Sequence, residues 1–474
     1  MNDDALFLIL SEVARRNGTI VSVSSVSQRL RQLSLPLLFR RCTTSLTEHK
    51  GPPPSVIWPY IQTLTFRGTY YLPVDVSTFP NGLQHLPYLH TIRFDNLFYI
   101  PWSAVMKCFS APGLSTLEFV HSVVGEYDAT ALPFPSSLPV TRIIYTFRDW
   151  VETAKVFELD GPRSLLKLAR HSIESLTIPP PNRSELLMTL PSFPRLRELT
   201  IQSFRPVSED LDAFLRSLSP IIARLRTLKV KVALPFDGTR IRLWTTGSSP
   251  NTTFQQMEDL EICYADPADG IFGRLTDRLR RLSLRDYPRY YFVIDPFDRN
   301  FLKSWTAPIL SSSECLQILK KCPLGLLEDL EIVYKSDDSD ADLLQHIAAH
   351  CSNLRRLEIH RYRSNEGDDV DTDRWVQILA PLRLICVLRL HLDLPDSPHP
   401  HGGSYCDPYH RRLMDIATSA AAGLSPTLQR ISILLRMHSG NFWLTWYIHR
   451  DPLLRLEFSK DWSWNTALMY VITI

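Results

Sequence analysis

Leu354-Arg355-Arg356-Leu357-Glu358-Ile359 is the stretch on which the reading of this chain turns. Leu357 and Ile359 alternate with Glu358, the two-residue period of a strand with one apolar and one polar face. Leu354 adds an apolar residue three positions upstream, and the same offset recurs in Leu196/Leu199, Leu225/Leu228 and Leu279/Leu282. Thirteen segments share the aliphatic-x-apolar core, among them Leu64-Thr65-Phe66, Leu117-Glu118-Phe119, Leu199-Thr200-Ile201, Leu260-Glu261-Ile262, Leu330-Glu331-Ile332 and Leu456-Glu457-Phe458. Their first residues are 28 (64 to 92), 25 (92 to 117), 23 (176 to 199), 29 (199 to 228) and 27 (330 to 357) positions apart.

A strand pattern recurring every twenty to thirty residues predicts stacked supersecondary units, each too small to bury its own apolar face. Leu-x-x-Leu-x-Leu is the core of a leucine-rich repeat. The expected fold class is therefore α/β: a solenoid with parallel strands on its concave face and helices or loops on its convex face. Helical spacing fills several intervals, as in Leu211, Phe214, Leu215 and Leu218 after Ser208, in Leu344, Ile347 and Ala348 after Asp340, and in Trp375, Ile378 and Leu379 after Thr372. Ile143-Ile144-Tyr145 is a further candidate strand in the poorly periodic stretch 120–175. Two intervals, Leu284 to Leu330 and Leu390 to Ile431, are long enough for an inserted loop or an unrecognised repeat. Many of the 35 prolines stand just ahead of a strand (Pro87, Pro112, Pro194), where a missing N–H costs no ladder bond.

Composition narrows the function class. Of 474 residues, 44% are hydrophobic and 22% charged, the balance of a folded globular chain. A formal charge of +2 supplies no global field for nucleic acid or anionic membrane. Eight cysteines are scattered without a Cys-x-x-Cys pair. Asp3 and Asp4 occupy the place where a secretory signal would be basic, and no apolar run reaches the ~20 residues that span a bilayer. Reduced thiols and a cytoplasmic or nuclear location are expected.

Residues 3–41 leave the repeat. Leu6, Ile9, Leu10 and Val13 form one helical stripe that Asn17-Gly18 would close, and Val23, Val26, Leu30 and Leu33 form a second. Leu35-Pro36-Leu37-Leu38-Phe39-Arg40 ends the unit. About forty residues bury little core alone, so the unit needs the repeats or a partner. The domain division expected is a helical module over 1–42, a linker or first-repeat start over 43–58, and a solenoid over 59–474 with insertions near 285–325 and 394–410.

Asp4-Ala5-Leu6-Phe7-Leu8-Ile9-Leu10, Val23 to Leu33 and Leu35 to Arg40 together resemble an F-box, of the fungal type followed by degenerate leucine-rich repeats. The resemblance is specific over 4–40 and pattern-level over 56–460. It implies that the module binds the Skp adaptor of an SCF-type cullin–RING ubiquitin ligase and that the repeats hold a target protein. Carried over by position, Leu6, Ile9, Leu10, Val26, Leu30 and Phe39 would be core or adaptor-binding residues. The family's Leu-Pro pair ahead of the acidic residues is replaced here by Met1-Asn2, which either weakens adaptor docking or marks a misassigned start.

Chemistry-bearing motifs are scarce. There is no Gly-x-x-x-x-Gly-Lys-Ser/Thr loop, His-Glu-x-x-His helix or Gly-x-Ser-x-Gly elbow, and 17 glycines leave few loops to cradle phosphate. His399, His401, Cys406 and His410 fall within twelve residues, but their spacing matches no zinc signature. They read as turn residues of a Pro/Gly-rich stretch, and neither metal nor cofactor is expected. The acidic runs Asp337–Asp342 and Asp368–Asp373 lack the glycine and distal glutamate of a calcium loop and stand ahead of helices, where carboxylates cap free amides.

Outward strand positions predict the target-binding surface: Arg67, Arg93, Glu118, Glu198, Lys229, Lys231, Glu261, Arg285, Glu331, Glu358, His360, Arg389, His391 and Arg430. Their alternating sign argues for a protein epitope over a phosphate track. Phe442, Trp443, Trp446, Tyr447, Phe458, Trp462 and Trp464 read as a seal over the last repeat. The leading expectation is a non-catalytic ligase substrate receptor. The alternative is a leucine-rich scaffold whose N-terminal helices only cap the solenoid, and a zinc hydrolase built on the His399–His410 stretch stands behind both.

Overall fold

The computed structural model describes residues 2–15, 20–46, 53–68, 82–97, 99–125, 138–146, 160–180, 193–203, 219–235, 238–244, 253–289, 305–397, 407–437, 440–450 and 456–461. Two compact units divide the chain, Met1–Ser203 and Phe204–Ile474.

The first unit opens with three helices, α1 (Asp3–Arg15), α2 (Ile20–Ser24) and α3 (Gln28–Leu38). The second expected stripe is thus two helices, not one. Ser27 breaks it by taking the N-cap of α3, its hydroxyl accepting from the Leu30 amide at 3.2 Å, and this leaves Val26 in the turn. Pro36 lies within α3, which runs on to Leu38, and the helical unit ends inside the expected segment, before β1 starts at Arg41. Asp3 of α1 accepts from Arg29 Nε of α3 at 2.8 Å and tightens the bundle. Asn17 and Gly18 lie outside the described residues.

Seven parallel strands follow: β1 (Arg41–Ser45), β2 (Thr63–Arg67), β3 (Thr91–Asp95), β4 (Thr116–Val120), β5 (Arg142–Thr146), β6 (Ser175–Ile178) and β7 (Glu198–Ser203). Their register aligns Leu64, Ile92, Leu117, Ile143, Leu176 and Leu199, so Ile143 is a full rung of the ladder. A repeated backbone device sets this register. The carbonyl of Arg40 accepts from the amides of Gln62 and Thr63, that of Gln62 from His90 and Thr91, and that of His90 from Ser115 and Thr116. Behind the sheet Phe66, Phe94, Phe119 and Tyr145 stack rung on rung, with ring centroids 5.7, 5.3 and 4.5 Å apart. All four are fully buried. The first residue past a strand takes a left-handed conformation at Asn96 (φ 62°) and His121 (φ 51°), turning the chain off the sheet where a glycine would be easier.

In the second unit β8 (Thr227–Val232), β10 (Asp259–Cys263), β11 (Arg281–Arg285), β14 (Asp329–Lys335), β15 (Arg356–Tyr362), β16 (Val387–Leu392) and β17 (Arg430–Met437) pair in parallel in that order. Three two-residue pieces, β9 (Leu234–Pro235), β12 (Trp305–Thr306) and β13 (Leu310–Ser311), lie beside them. Both long intervals resolve without an extra rung. Leu282 pairs directly with Leu330 and Leu388 with Ile431, and the added residues include the helices Ser312–Leu319 and Asp407–Gly423. Helices Asp340–His350 and Thr372–Leu379 also form, burying Leu344 and Ile347, and Trp375 and Leu379. The helical stripe expected after Ser208 lies outside the described residues.

The unit closes differently from the expectation of one more repeat at Leu456. Strand β18 (Gly440–Arg450) turns back antiparallel onto β17, and β19 (Leu456–Asp461) pairs antiparallel with β18. Trp446 and Leu444 of β18 are buried, as a seal requires, whereas Trp462 and Trp464 lie outside the described residues. Together the parallel register, the helical crossovers and the buried leucine row make the fold an α/β leucine-rich-repeat solenoid type. Among the described residues no helix is long and apolar enough to cross a membrane. No disulfide joins the described cysteines, and burial raises the thiol pKa of Cys322 and Cys351 to about 12.

Candidate functional site

Two surfaces stand out, and the first is apolar. On the N-terminal helices Leu8, Ile9, Val21 and Val26 are 69, 51, 63 and 73% exposed, while Leu10 and Ile20 of the same helices are buried. Four large aliphatics thus stand exposed on a unit of under forty residues. Of the positions carried over from the resemblance, Ile9 and Val26 lie on this surface, Leu10 in the core, and Leu6, Leu30 and Phe39 between. Leu8 and Val21 escaped sequence reasoning because both fall off the apolar stripes. The signal available for them was an aliphatic residue on an otherwise polar helix face.

The second surface is the face of the second unit's sheet turned away from its leucine row. Register places Lys229 beside Glu261, Glu261 beside Ser283, Ser283 beside Glu331, Glu331 beside Glu358, and Glu358 beside Arg389. These outward positions, of which Lys229, Glu261, Glu331, Glu358 and Arg389 are expected to meet a target, meet one another. Lys229 Nζ lies 2.9 Å from Asp259 and 4.0 Å from Glu261. Arg285 Nη1 donates to Glu261 at 3.0 Å, and Ser283 Oγ donates to Glu331 at 2.8 Å. Arg281 reaches Asp259 (3.9 Å) and Asp329 (3.4 Å) on the two neighbouring strands.

Glu358 is the hub. It is 2% exposed, and its carboxylate meets Arg356 Nη2 at 2.9 Å, Arg389 Nη1 at 2.8 Å, His360 Nε2 at 2.9 Å and Arg289 Nη2 at 3.6 Å. Arg289, from the loop after β11, passes over the sheet to Glu331 at 2.6 Å as well. Trp443 of β18 covers the far side, with the Arg389 guanidinium 3.9 Å from its ring centroid and the fully buried His360 ring edge-on at 5.8 Å. Arg289 and Trp443 could not be read from the strand pattern, because one lies in a loop and the other on an antiparallel strand.

The cations decide the protonation states. Burial alone would raise Glu331, but Arg289 and Arg285 hold it at about 2. Burial opposes Glu358 likewise, and the His360 hydrogen bond with Arg389 and Arg289 keeps it well below the usual carboxylate range. Burial and then Arg289 lower His360, which favours the neutral imidazole at physiological pH. Glu331, Glu358 and His360 bring ligand atoms within 4.8 Å of one another, the spacing of a metal site. Arginines already occupy both carboxylates, so a cation there would have to displace guanidinium groups. The cluster reads as a closed ion-pair network.

The remaining expected positions are open on the first unit and covered on the second. Arg67 is 62% exposed beside Asp95 at 3.0 Å, Arg93 lies 3.6 Å from Glu118, and Glu198 is exposed. His391 is buried beside His360, with ring centroids 5.5 Å apart, and Arg430 is half-buried. Of the acidic runs, Asp371 caps its helix, accepting from the Arg374 amide at 3.0 Å. Asp337 and Asp368 instead tie neighbouring repeats together, through Ser313 and through Ser336, Ser364 and Arg361. His399, His401 and Cys406 lie outside the described residues.

No family model and no curated protein matches the chain. Among solved structures, the complex of Rad7 and Elc1 in yeast is similar at 12% identity over 85% of this chain and 92% of that one, with a TM-score of 0.37. An internalin (inlF) from Listeria monocytogenes is similar at 13% identity over 79% and 94%, with a TM-score of 0.35. The mouse RP105/MD-1 complex is similar at 15% identity over 83% and 59%, with a TM-score of 0.38. Likenesses at this level carry no functional argument, which rests on the two surfaces.

Proposed function

We propose that this chain is the substrate-recognition subunit of an SCF-type cullin–RING ubiquitin ligase, its N-terminal helices binding a Skp adaptor and its repeats binding a target protein. The observation that carries the reading is the exposed aliphatic surface of Leu8, Ile9, Val21 and Val26 on the module whose sequence resembles an F-box. A helical module serving only as a cap would turn its aliphatics toward the repeats. Burying four such side chains against adaptor helices would contribute on the order of 1.5–3 kcal/mol each at full burial. In this reading the chain performs no bond chemistry and needs no cofactor. It works by proximity, holding a target lysine at high effective concentration beside the charged conjugating enzyme, in the cytoplasm or nucleus.

The test is co-purification with a Skp adaptor. Wild type should capture the adaptor in equal amounts. Ile9→Asp/Val26→Asp, which changes exposed positions only, should fold and lose it. A folded wild type that captures no adaptor would leave the helices as a cap on a protein-binding scaffold.

A further inference from the structure

At the β8 end of the second unit's sheet one cation stands apart from the ion-pair network. Lys229 and Lys231 project from β8, Glu261 and Cys263 from β10, and Arg285 from β11, all onto the same sheet face. Lys229 is held by Asp259 at 2.9 Å, and Glu261 is held by Arg285 at 3.0 Å. Arg281 also reaches Asp259 at 3.9 Å and Arg285 also lies 3.8 Å from Glu331, so the carboxylates beside Lys231 are already engaged by other cations. Among the described residues Lys231 has no carboxylate within ion-pair distance and no hydrogen bond, although its side chain is largely covered.

We propose that Lys231, beside the small side chain of Cys263, receives a carboxylate from an acidic segment of a protein partner. This deepens the target-binding half of the function proposed above and rests on it. Charge complementarity selects the occupant. A covered ammonium without a counter-ion is costly, and an arriving carboxylate turns that cost into a charge-assisted hydrogen bond. Burial lowers the Lys231 pKa despite the nearby Glu261, as expected of an ammonium whose neighbours compensate it incompletely.

Fluorescence anisotropy of the full chain with labelled hexaglutamate tests this, with hexalysine as the opposite-charge control. Hexaglutamate should bind and hexalysine should not. Lys231→Met should weaken hexaglutamate at least tenfold, Lys231→Arg should keep most of the affinity, and Lys229→Met, whose ammonium is already engaged, should weaken it less than threefold. No binding by hexaglutamate, or binding indifferent to Lys231→Met, overturns the proposal. So does full displacement by millimolar inorganic phosphate, which would make the spot a simple anion site. Adaptor capture is measured on the same samples. Lys231→Met should leave it intact, so loss of the target spot and loss of the ligase reading remain separate results.

Discussion

The two units put the same strand pattern to opposite electrostatic use. On the first, Thr43, Thr65, Arg93, Glu118, Ile144, Thr177 and Thr200 line the face turned from the leucines, and none of them is buried. On the second, Glu261, Ser283, Glu358, Ser432 and Thr445 of that row are buried, and Lys229, Glu331 and Arg389 beside them are half-buried. Arg289 and Trp443 make the difference by reaching over the second face from outside its parallel strands. A row of outward charges is thus a binding surface only where nothing from the chain itself lies over it. In the first unit the ion pairs are exposed and contribute little, and in the second they are desolvated and interdependent.

Breaking the hub should show the contrast at its largest. Glu358→Gln leaves Arg389 and Arg289 without their buried counter-charge and should cost about 3–5 kcal/mol in urea unfolding. Glu118→Gln, which removes a half-exposed partner 3.6 Å from Arg93, should cost under about 1 kcal/mol. Equal costs would erase the distinction between the faces.

Acid should act next, and on the second unit. Glu331 and Asp368 sit at about 2 in the folded chain, below their unfolded values near 4. Their stabilisation is present above about pH 4.5 and is lost as pH falls toward 2. His360 is lowered too, so its contribution is present above about pH 6.5 and erodes below it. Near-ultraviolet circular dichroism across pH 7 to 3 should decline as Trp443 and Trp446 lose their packing over the second unit's sheet. Glu358→Gln should flatten the pH dependence.

Trp443→Ala sharpens the same point with a smaller effect. Losing the ring over Arg389 and His360 should cost about 2 kcal/mol and open His360 to solvent, visible as its carbene-reagent labelling. Arg67→Ala on the open face should change stability by less than about 0.5 kcal/mol, since Arg67 is largely exposed and Arg93 remains 3.9 Å from Asp95.

Sequence alone conveyed most of the fold and less of the site, for a definite reason. Leu-x-Leu alternation is local, so it placed every described parallel rung from Leu64 to Ile431, including Ile143. It missed β1, whose Arg41-Cys42-Thr43-Thr44-Ser45 has no leucine, and it mistook β19 for a parallel repeat because alternation does not encode strand direction. Alternation also turned Glu358 and His360 away from the leucine core correctly. Their burial depends on Arg289 and Trp443, 69 and 85 positions from Glu358 in sequence, and no local pattern signals that contact. On the helical module the apolar stripes held both the buried Leu10 and the exposed Ile9 and Val26, so a stripe alone did not separate core from surface.

Hydrogen–deuterium exchange of the full chain, with and without a Skp adaptor, tests the account most directly. The prediction is new protection confined to peptides covering 3–15 and 20–38, with β10 to β17 unchanged because their polar face is already closed. Protection over β10 to β17 with none on the helices, or no protection anywhere under saturating adaptor, would contradict it.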